Sequence, residues 1–212
     1  MSDTIPPTRF HGFDWRVIRD DASTHFRTGS FAKGVALVDA IGKLADAANH
    51  HPDVDLRYGG VTVRLKTHSE GTLTERDVAL ARQISDAARE MGVPVDLTGL
   101  QTVQVAIDAL VIPEVLPFWR AVLGYTVVDG EDLWNPRRQG PPIWFQQMDA
   151  PRPQRNRIHI DVYVPHDQAE ERVASALAAG GHLVSDENAP GWWTLADAEG
   201  NEVDVASWPD RD

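Results

Sequence analysis

The chain has no cysteine. A disulfide framework and a thiolate metal site are therefore both excluded, and the sequence fits a reducing compartment such as the cytoplasm. No apolar run approaches the ~20 residues that a membrane-spanning helix needs. The opening MSDTIPPTRFHG lacks the apolar stretch of a signal peptide and reads as a short extended arm. Basic clusters are missing too. Net charge is −12, from 20 Lys+Arg against 32 Asp+Glu, and the imbalance is uneven: 12 Lys+Arg face 14 Asp+Glu before Leu100, and 8 face 18 from there on. An acidic second half without a Lys/Arg run argues against nucleic acid and anionic membranes as partners. What remains is a globular composition over 212 residues, enough for two domains of about 100 residues, each with a modest core.

Hydrophobic periodicity divides the first half into strand, strand, helix, hairpin, helix. Trp15–Arg19 and Thr24–Phe26 are candidate strands. Phe31, Val35, Val38, Ile41, Leu44, Ala45 and Ala48 recur at helical spacing and predict an apolar helix face from Phe31 to Ala48. A second helix starts at Thr74, carries Val78, Ala81, Ile84, Ala88 and Met91 on one face, and stops at Gly92. Between them, Val54, Leu56 and Tyr58 alternate with Asp55 and Arg57, and Val61, Val63 and Leu65 alternate with Thr62, Arg64 and Lys66. Gly59-Gly60 reads as a two-residue turn, since glycine tolerates positive φ. That turn sets Tyr58 opposite Val61, Leu56 opposite Val63 and Val54 opposite Leu65, with Arg57–Thr62, Asp55–Arg64 and Asp53–Lys66 on the other face. One further step places His51 opposite His68, with His50 adjacent. Imidazole suits proton exchange near neutral pH. A surface histidine pair without a role is the plainer reading, and a zinc site through the three histidines is another, although no zinc-motif spacing is present.

The stretch from Asp46 to Asp77, DAANHHPDVDLRYGGVTVRLKTHSEGTLTERD, resembles the pterin-4a-carbinolamine dehydratase family, also called 4a-hydroxytetrahydrobiopterin dehydratase. The signature is an acidic or polar residue, His-His-Pro, an aromatic, a further His and a later Asp. It falls here on Asp46, His50, His51, Pro52, Tyr58, His68 and Asp77, and the resemblance covers about residues 13–91. It implies an α+β domain whose antiparallel sheet is covered by two helices. It also implies a dehydratase acting on a small-molecule pterin, with no metal or redox cofactor, and homo-oligomers formed through this domain. His50, His51 and His68 would do the acid–base work, and Asp46 and Asp77 would bind substrate or orient imidazoles. Thr74-Glu75-Arg76-Asp77 is also a capping-box pattern with Asp in the place of Glu, so Asp77 has a structural reading compatible with the other.

Residues 93–99, GVPVDLTG without its leading glycine, read as a linker between a first domain over 13–92, preceded by the arm 1–12, and a second over 100–212. The second contains an internal repeat. Strand-like runs Thr102–Ile107 and Arg157–Val164 align Gln104 with His159. Each is followed by a helix ending at glycine, carrying Val115, Phe118, Trp119 and Val122 in one copy and Ala169, Val173, Ala176 and Leu177 in the other. Further strands, Pro142–Met148, Gly191–Leu195 and Glu202–Ser207, complete two β-α-β-β-β copies. FWRAVLGY, PPIWFQQM, RNRIHIDVYV and DAEGNEVDV resemble the glyoxalase-like branch of the vicinal-oxygen-chelate superfamily. The resemblance implies paired βαβββ modules forming a cup, with metal ligands at Gln104, Gln146 or Gln147, His159 and Asp204. Two amides and a shortened carboxylate make a weak divalent site, so the expectation is no bound metal. Trp144, Trp192 and Trp193 suit either a binding cup or the core. Besides the dehydratase, the alternatives are a metal-dependent glyoxalase or dioxygenase in this half, or a non-catalytic small-molecule binding protein.

Overall fold

The computed structural model describes residues 4–151, 160–164 and 166–207. The chain divides into two compact units, Met1–Thr102 and Val103–Asp212.

In the first unit, β1 (Arg16–Ile18), β2 (Asp21–Arg27), β3 (Asp53–Arg57) and β4 (Gly60–Leu65) form one antiparallel sheet in the order β1-β2-β4-β3. Helices α1 (Phe31–Ala48) and α2 (Glu75–Glu90) supply much of the rest of its core, with Phe10, Trp15, Leu73 and Val93 from the connecting segments. Alternation decides which side of the sheet is buried: Ala22, Thr24 and Phe26 on β2 and Val61, Val63 and Leu65 on β4 all lie inside. They pack with Leu37 and Ile41 of α1 and with Val78, Leu80, Ala81 and Ile84 of α2. Trp15 is fully buried and donates its indole N–H to the Ala81 carbonyl at 3.1 Å and to the Ser85 hydroxyl at 3.0 Å, which satisfies its one polar atom.

Four features differ from the sequence expectation. The hairpin turn is Tyr58-Gly59, one residue earlier than expected, so Leu56 faces Val61, Val54 faces Val63 and Asp53 faces Arg64. Tyr58 leaves the apolar face and is exposed. The inner face of α1 is Gly34, Leu37, Ile41 and Ala45, while Phe31 and Val35 are exposed. The segment before Trp15 is no free arm: Phe10 is buried, Ile5 N–H donates to the Leu73 carbonyl, and Arg9 forks onto Glu75 at 2.7 and 2.8 Å, holding that carboxyl below its usual range. Finally, the first residues after Gly92 are fastened down. Val93 is buried, Arg27 N–H donates to the Pro94 carbonyl, Val95 bridges Phe26, and Asp96 N–H donates to the His25 carbonyl.

The second unit is two β-α-β-β-β copies. In the first, β5 (Val105–Ala109), α3 (Ile112–Leu123), β6 (Thr126–Val128), β7 (Asp132–Trp134) and β8 (Ile143–Gln147) give a sheet ordered β5-β8-β7-β6. In the second, β9 (Ile160–Tyr163), α4 (Ala169–Ala178), β10 (His182–Ser185), β11 (Trp192–Ala196) and β12 (Glu202–Ala206) give β10-β11-β12-β9. The repeat extends to register. Val105 lies beside Ile143 and Ile160 beside Val203, each across the one parallel pair of its sheet. Both copies share a core in which Phe118, Trp119, Leu133 and Ile143 meet Ala176, Leu195, Val203 and Val205.

The turn between β11 and β12 joins the copies. Asp197 is fully buried and accepts from the Trp119 indole, the Asn201 side chain, and the backbone N–H groups of Glu199 and Asn201. The Glu199 carboxylate takes the backbone N–H groups of Leu110 and Val111, just before α3, at 2.7 to 2.9 Å. At the other end of that helix, Arg172 of α4 donates to the Val122 carbonyl at 3.0 Å. Opposite charges thus sit at the two ends favoured by the helix dipole. Glu199→Ala is expected to cost about 1–2 kcal/mol, the loss of charge-assisted bonds to one partly buried and one exposed N–H group. Denaturant unfolding is the check, and an unchanged midpoint would show that water replaces the carboxylate.

Candidate active site

The site begins where α1 ends. Asn49 closes the helix in the left-handed region, at φ 46° and ψ 43°, and His50 N–H bonds back to the Ala45 carbonyl at 3.0 Å. Asparagine is among the few side chains that accept this conformation readily. The reversal carries His50 inward, where it is 6% exposed, and brings its Nε2 to 2.7 Å from Asp77 Oδ1. Asp77 comes from the first turn of α2 and is 0% exposed. It caps the helix and also contacts an imidazole. Its Oδ2 accepts the Thr74 N–H at 2.7 Å, completing a reciprocal capping box, while Oδ1 faces His50.

The adjacent histidine turns the other way. His51 Nε2 lies 3.0 Å from Asp46 Oδ1, and both side chains are open to solvent, 60% and 80% exposed. Asp46 stands in the last turn of α1, five residues before His51. Two neighbouring imidazoles are therefore each held by a carboxylate, one dry and one wet. His68 is exposed just beyond β4. The expected pairing of His51 with His68 across the ladder does not form. The ladder ends at Asp53–Arg64, and its register is offset by two residues from the one expected. His68 is linked to the buried pair through its chain neighbour, since Thr67 Oγ1 donates to Asp77 Oδ2 at 2.7 Å.

Two contributors, Thr67 and Arg76, were not anticipated from sequence. Thr67 and Thr74 share a 2.7 Å hydrogen bond beside Asp77, and the exposed Arg76 donates to the Asn49 carbonyl at 2.6 Å. The Thr-x-x-Asp capping pattern was the available signal for Thr74. Nothing local marked Thr67 or Arg76.

The positions aligned with metal ligands in the second unit fit a metal poorly. Gln104 is exposed and precedes β5 instead of standing in it, and Gln146 is exposed near the end of β8. The second amide, Gln147, donates to the Leu110 and Met148 carbonyls. Asp204 accepts from the Thr194 hydroxyl at 2.6 Å. His159 lies outside the described residues. Among the described residues no group of three His, Asp or Glu side chains is arranged to hold a metal ion, and no helix is long and apolar enough to cross a membrane. Trp144 and Trp193 are partly buried, and Trp193 packs against the core, whereas Trp192 is exposed.

Sheet, helices and paired carboxylate–imidazole contacts define the first unit as an α+β domain of the pterin dehydratase type, followed by a glyoxalase-like second unit. The comparisons agree. The model of the "Pterin 4 alpha carbinolamine dehydratase" family matches residues 7–87, and that of "Glyoxalase-like domain" matches residues 104–206. A protein of Nocardia farcinica named "Putative pterin-4-alpha-carbinolamine dehydratase" is 47% identical over 76 residues, which is 36% of this chain and 80% of that protein. One of the same name from Chloroflexus aurantiacus is 42% identical over 73 residues, covering 34% of this chain and 78% of the relative. A solved transcriptional coactivator/pterin dehydratase from Brucella melitensis is 27% identical, covers 35% of this chain and 82% of its own, and superposes with a TM-score of 0.34. Through its first unit the chain belongs to the pterin-4a-carbinolamine dehydratase family.

Proposed function

We propose that the first unit dehydrates a 4a-hydroxytetrahydropterin to the quinonoid dihydropterin and water. The C4a–O bond breaks as a proton reaches the departing hydroxyl, and a proton is removed from ring N5 as the C=N bond forms. Electrons and atoms balance without a redox partner. One observation carries the reading: the adjacent pair His50–Asp77, buried, and His51–Asp46, exposed. A carboxylate that holds one ring nitrogen orients the imidazole and leaves the other nitrogen for proton transfer. The exposed His51 exchanges its proton with water and is reachable by a ligand. His68, exposed and next in the chain to Thr67, would supply a third imidazole. Each positioned acid or base contributes typically about 10²–10⁴-fold. The test is a dehydratase assay on the full chain with a 4a-hydroxytetrahydropterin generated in situ. A rate no greater than the buffer-catalysed dehydration would refute the proposal.

The chemistry needs proton transfer alone, so no metal or cofactor is part of the proposal. EDTA is expected to leave turnover unchanged, and elemental analysis of the purified chain is expected to find well under one equivalent of zinc, nickel, manganese or iron. Neutral amides attract a dication less than carboxylates do, and Asp204 is already engaged by Thr194. Loss of activity on chelation, restored by added zinc, would instead favour a histidine-bound metal. One equivalent lost in His159→Ala would assign a metal to the second unit.

A further inference from the structure

We propose that the second unit carries a slot, between Trp192 of β11 and Tyr163 of β9, for a planar nitrogen heteroaromatic with N–H donors along one edge, the class to which a pterin belongs. The register of three neighbouring strands builds it. Trp192 pairs with Ala206 of β12, and Ala206 with Tyr163, so the three residues form one row across the sheet. The adjacent row, Trp193, Val205 and Val162, belongs to the core. Alternation therefore turns the Trp192–Ala206–Tyr163 row to the opposite face. Trp192 and Tyr163 are 43% and 67% exposed, whereas Ala206 is 6% exposed. Two large aromatic side chains thus stand open on either side of a methyl floor. The fold does not demand this. In the first copy the corresponding row places Asp108 beside Gln146, with no aromatic at either position.

Width decides what fits. Neighbouring strands lie about 4.8 Å apart, so the outer residues of the row stand roughly 9.6 Å apart at their Cα atoms. A flat ring touching both walls needs about 7–8 Å between them, at roughly 3.5–4.0 Å on each side. A lean of about 1 Å by each side chain makes up the difference. A branched aliphatic group is thicker and would force the walls apart. The next row on the same face sets the polarity. It consists of Thr194, Asp204 and Asp161, and the Thr194 hydroxyl donates to Asp204 Oδ1 at 2.6 Å. The charged side chains described on this face of the three strands are Asp161, Glu202 and Asp204, all acidic. Carboxylates only accept, and each takes several hydrogen bonds at once. Charge complementarity therefore favours a ring edge of N–H donors and disfavours a carboxylate or phosphate. A pterin ring offers such an edge, its N3–H and 2-amino group side by side.

The slot is a property of the second unit; only the choice of a pterin as its ligand rests on the dehydratase reading. Titration calorimetry of the full chain with biopterin, which is fully oxidised and so no substrate, is the test. Wild type is expected to bind at a site that Trp192→Ala and Tyr163→Ala each weaken roughly ten- to hundredfold, the loss of one stacking wall. Tyr163→Phe keeps the ring and is expected to bind as wild type does. Dehydratase turnover is expected to be unchanged in all three. The planar anion 2-naphthoate, which has no N–H donor, is expected to bind at least about tenfold more weakly than biopterin. Wild-type affinity in both alanine variants would overturn the proposal, and equal binding of 2-naphthoate would overturn the donor edge. Should the alanine variants not fold, Asp204→Asn leaves both walls and is expected to weaken biopterin about tenfold; an unchanged affinity there overturns the proposal equally. Turnover without binding in the slot would sink this proposal and leave the dehydratase reading standing. Binding that depends on Trp192, in a chain without turnover, would do the reverse.

Discussion

His51→Ala is expected to lower kcat/KM for the 4a-hydroxytetrahydropterin by roughly 10²-fold or more, while the melting temperature stays within about 3 °C of wild type. The two halves of this expectation come from the same geometry. The His51 side chain is 60% exposed, and its partner Asp46 is more exposed still, so folding gains little from the pair. A ligand entering the site meets this imidazole without displacing protein. His68→Ala is expected to behave likewise, because its side chain is also exposed. His50→Ala should look different. Its imidazole fills a buried position against a fully buried carboxylate, and removing it orphans one oxygen of Asp77 at about 2–3 kcal/mol. Activity and stability should therefore fall together in His50→Ala and separately in the other two. Steady-state kinetics beside thermal unfolding of the three variants is the measurement. Wild-type turnover in both His51→Ala and His68→Ala would remove the basis of the proposed reaction.

The elements of the first unit were legible because their signals are local. Helical spacing found α1 from Phe31 to Ala48 with both ends correct, and Thr74 with Gly92 bracketed α2. The turn was misplaced for a reason that no local pattern holds. Neither Gly59 nor Gly60 adopts a left-handed φ. Gly60 is glycine because of β2: a Cβ there would lie 2.5 Å from the His25 ring and 2.8 Å from the Phe26 carbonyl oxygen. The glycine records a close approach by a strand more than thirty residues away in sequence, and it was read as a turn signal. Gly34 misled in the opposite sense. It counts as nothing in a hydrophobic pattern, yet it is buried, and a Cβ there would meet Leu56 at 2.5 Å. The seam of α1 runs along this glycine and Leu37, not along Phe31 and Val35.

The site divides the same way. That Asp46, His50, His51 and Asp77 belong to one site was implied by the family resemblance, not by periodicity, and the structure sorts them into two pairs. Which histidine turns inward depends on the left-handed cap at Asn49, a backbone state that sequence suggests only weakly. The register error then carried forward, setting His51 against His68. Thr67 escaped notice because a threonine at the end of a strand has no distinguishing neighbours in sequence; its significance appears only when α2 folds over it. In the second unit the 55-residue repeat was legible, and the structure extends it to the parallel pairing of the first strand of each copy at Val105 and Ile160, which no sequence pattern announced. Gln104 falls short of β5, since that strand begins at Val105 and not at Thr102.

Asp197→Ala is expected to be the most destabilising single change in the second unit, at about 3–5 kcal/mol, because it breaks a buried charged network from one side. The side chain is 0% exposed and accepts at four positions: the Trp119 indole at 2.9 Å, Asn201 Nδ2 at 2.8 Å, and the N–H groups of Glu199 and Asn201, each at 2.9 Å. Trp119 is 2% exposed and belongs to α3 of the first copy, so its indole has no water to turn to. Asn201 also donates to the Asp108 carbonyl on β5, and Glu199, two residues on from Asp197, holds the amides ahead of α3. Loss of the carboxylate therefore loosens a turn that fastens one copy to the other. Asp197→Asn is not expected to rescue the fold, since its amide group sets a donor against donors on at least one side. Glu199→Ala, lacking only the outer bonds, should cost markedly less. Denaturant unfolding followed by tryptophan fluorescence orders the three variants. A loss below about 1 kcal/mol in Asp197→Ala would mean that the two copies are held by their shared apolar core alone and that the buried carboxylate contributes no net stability.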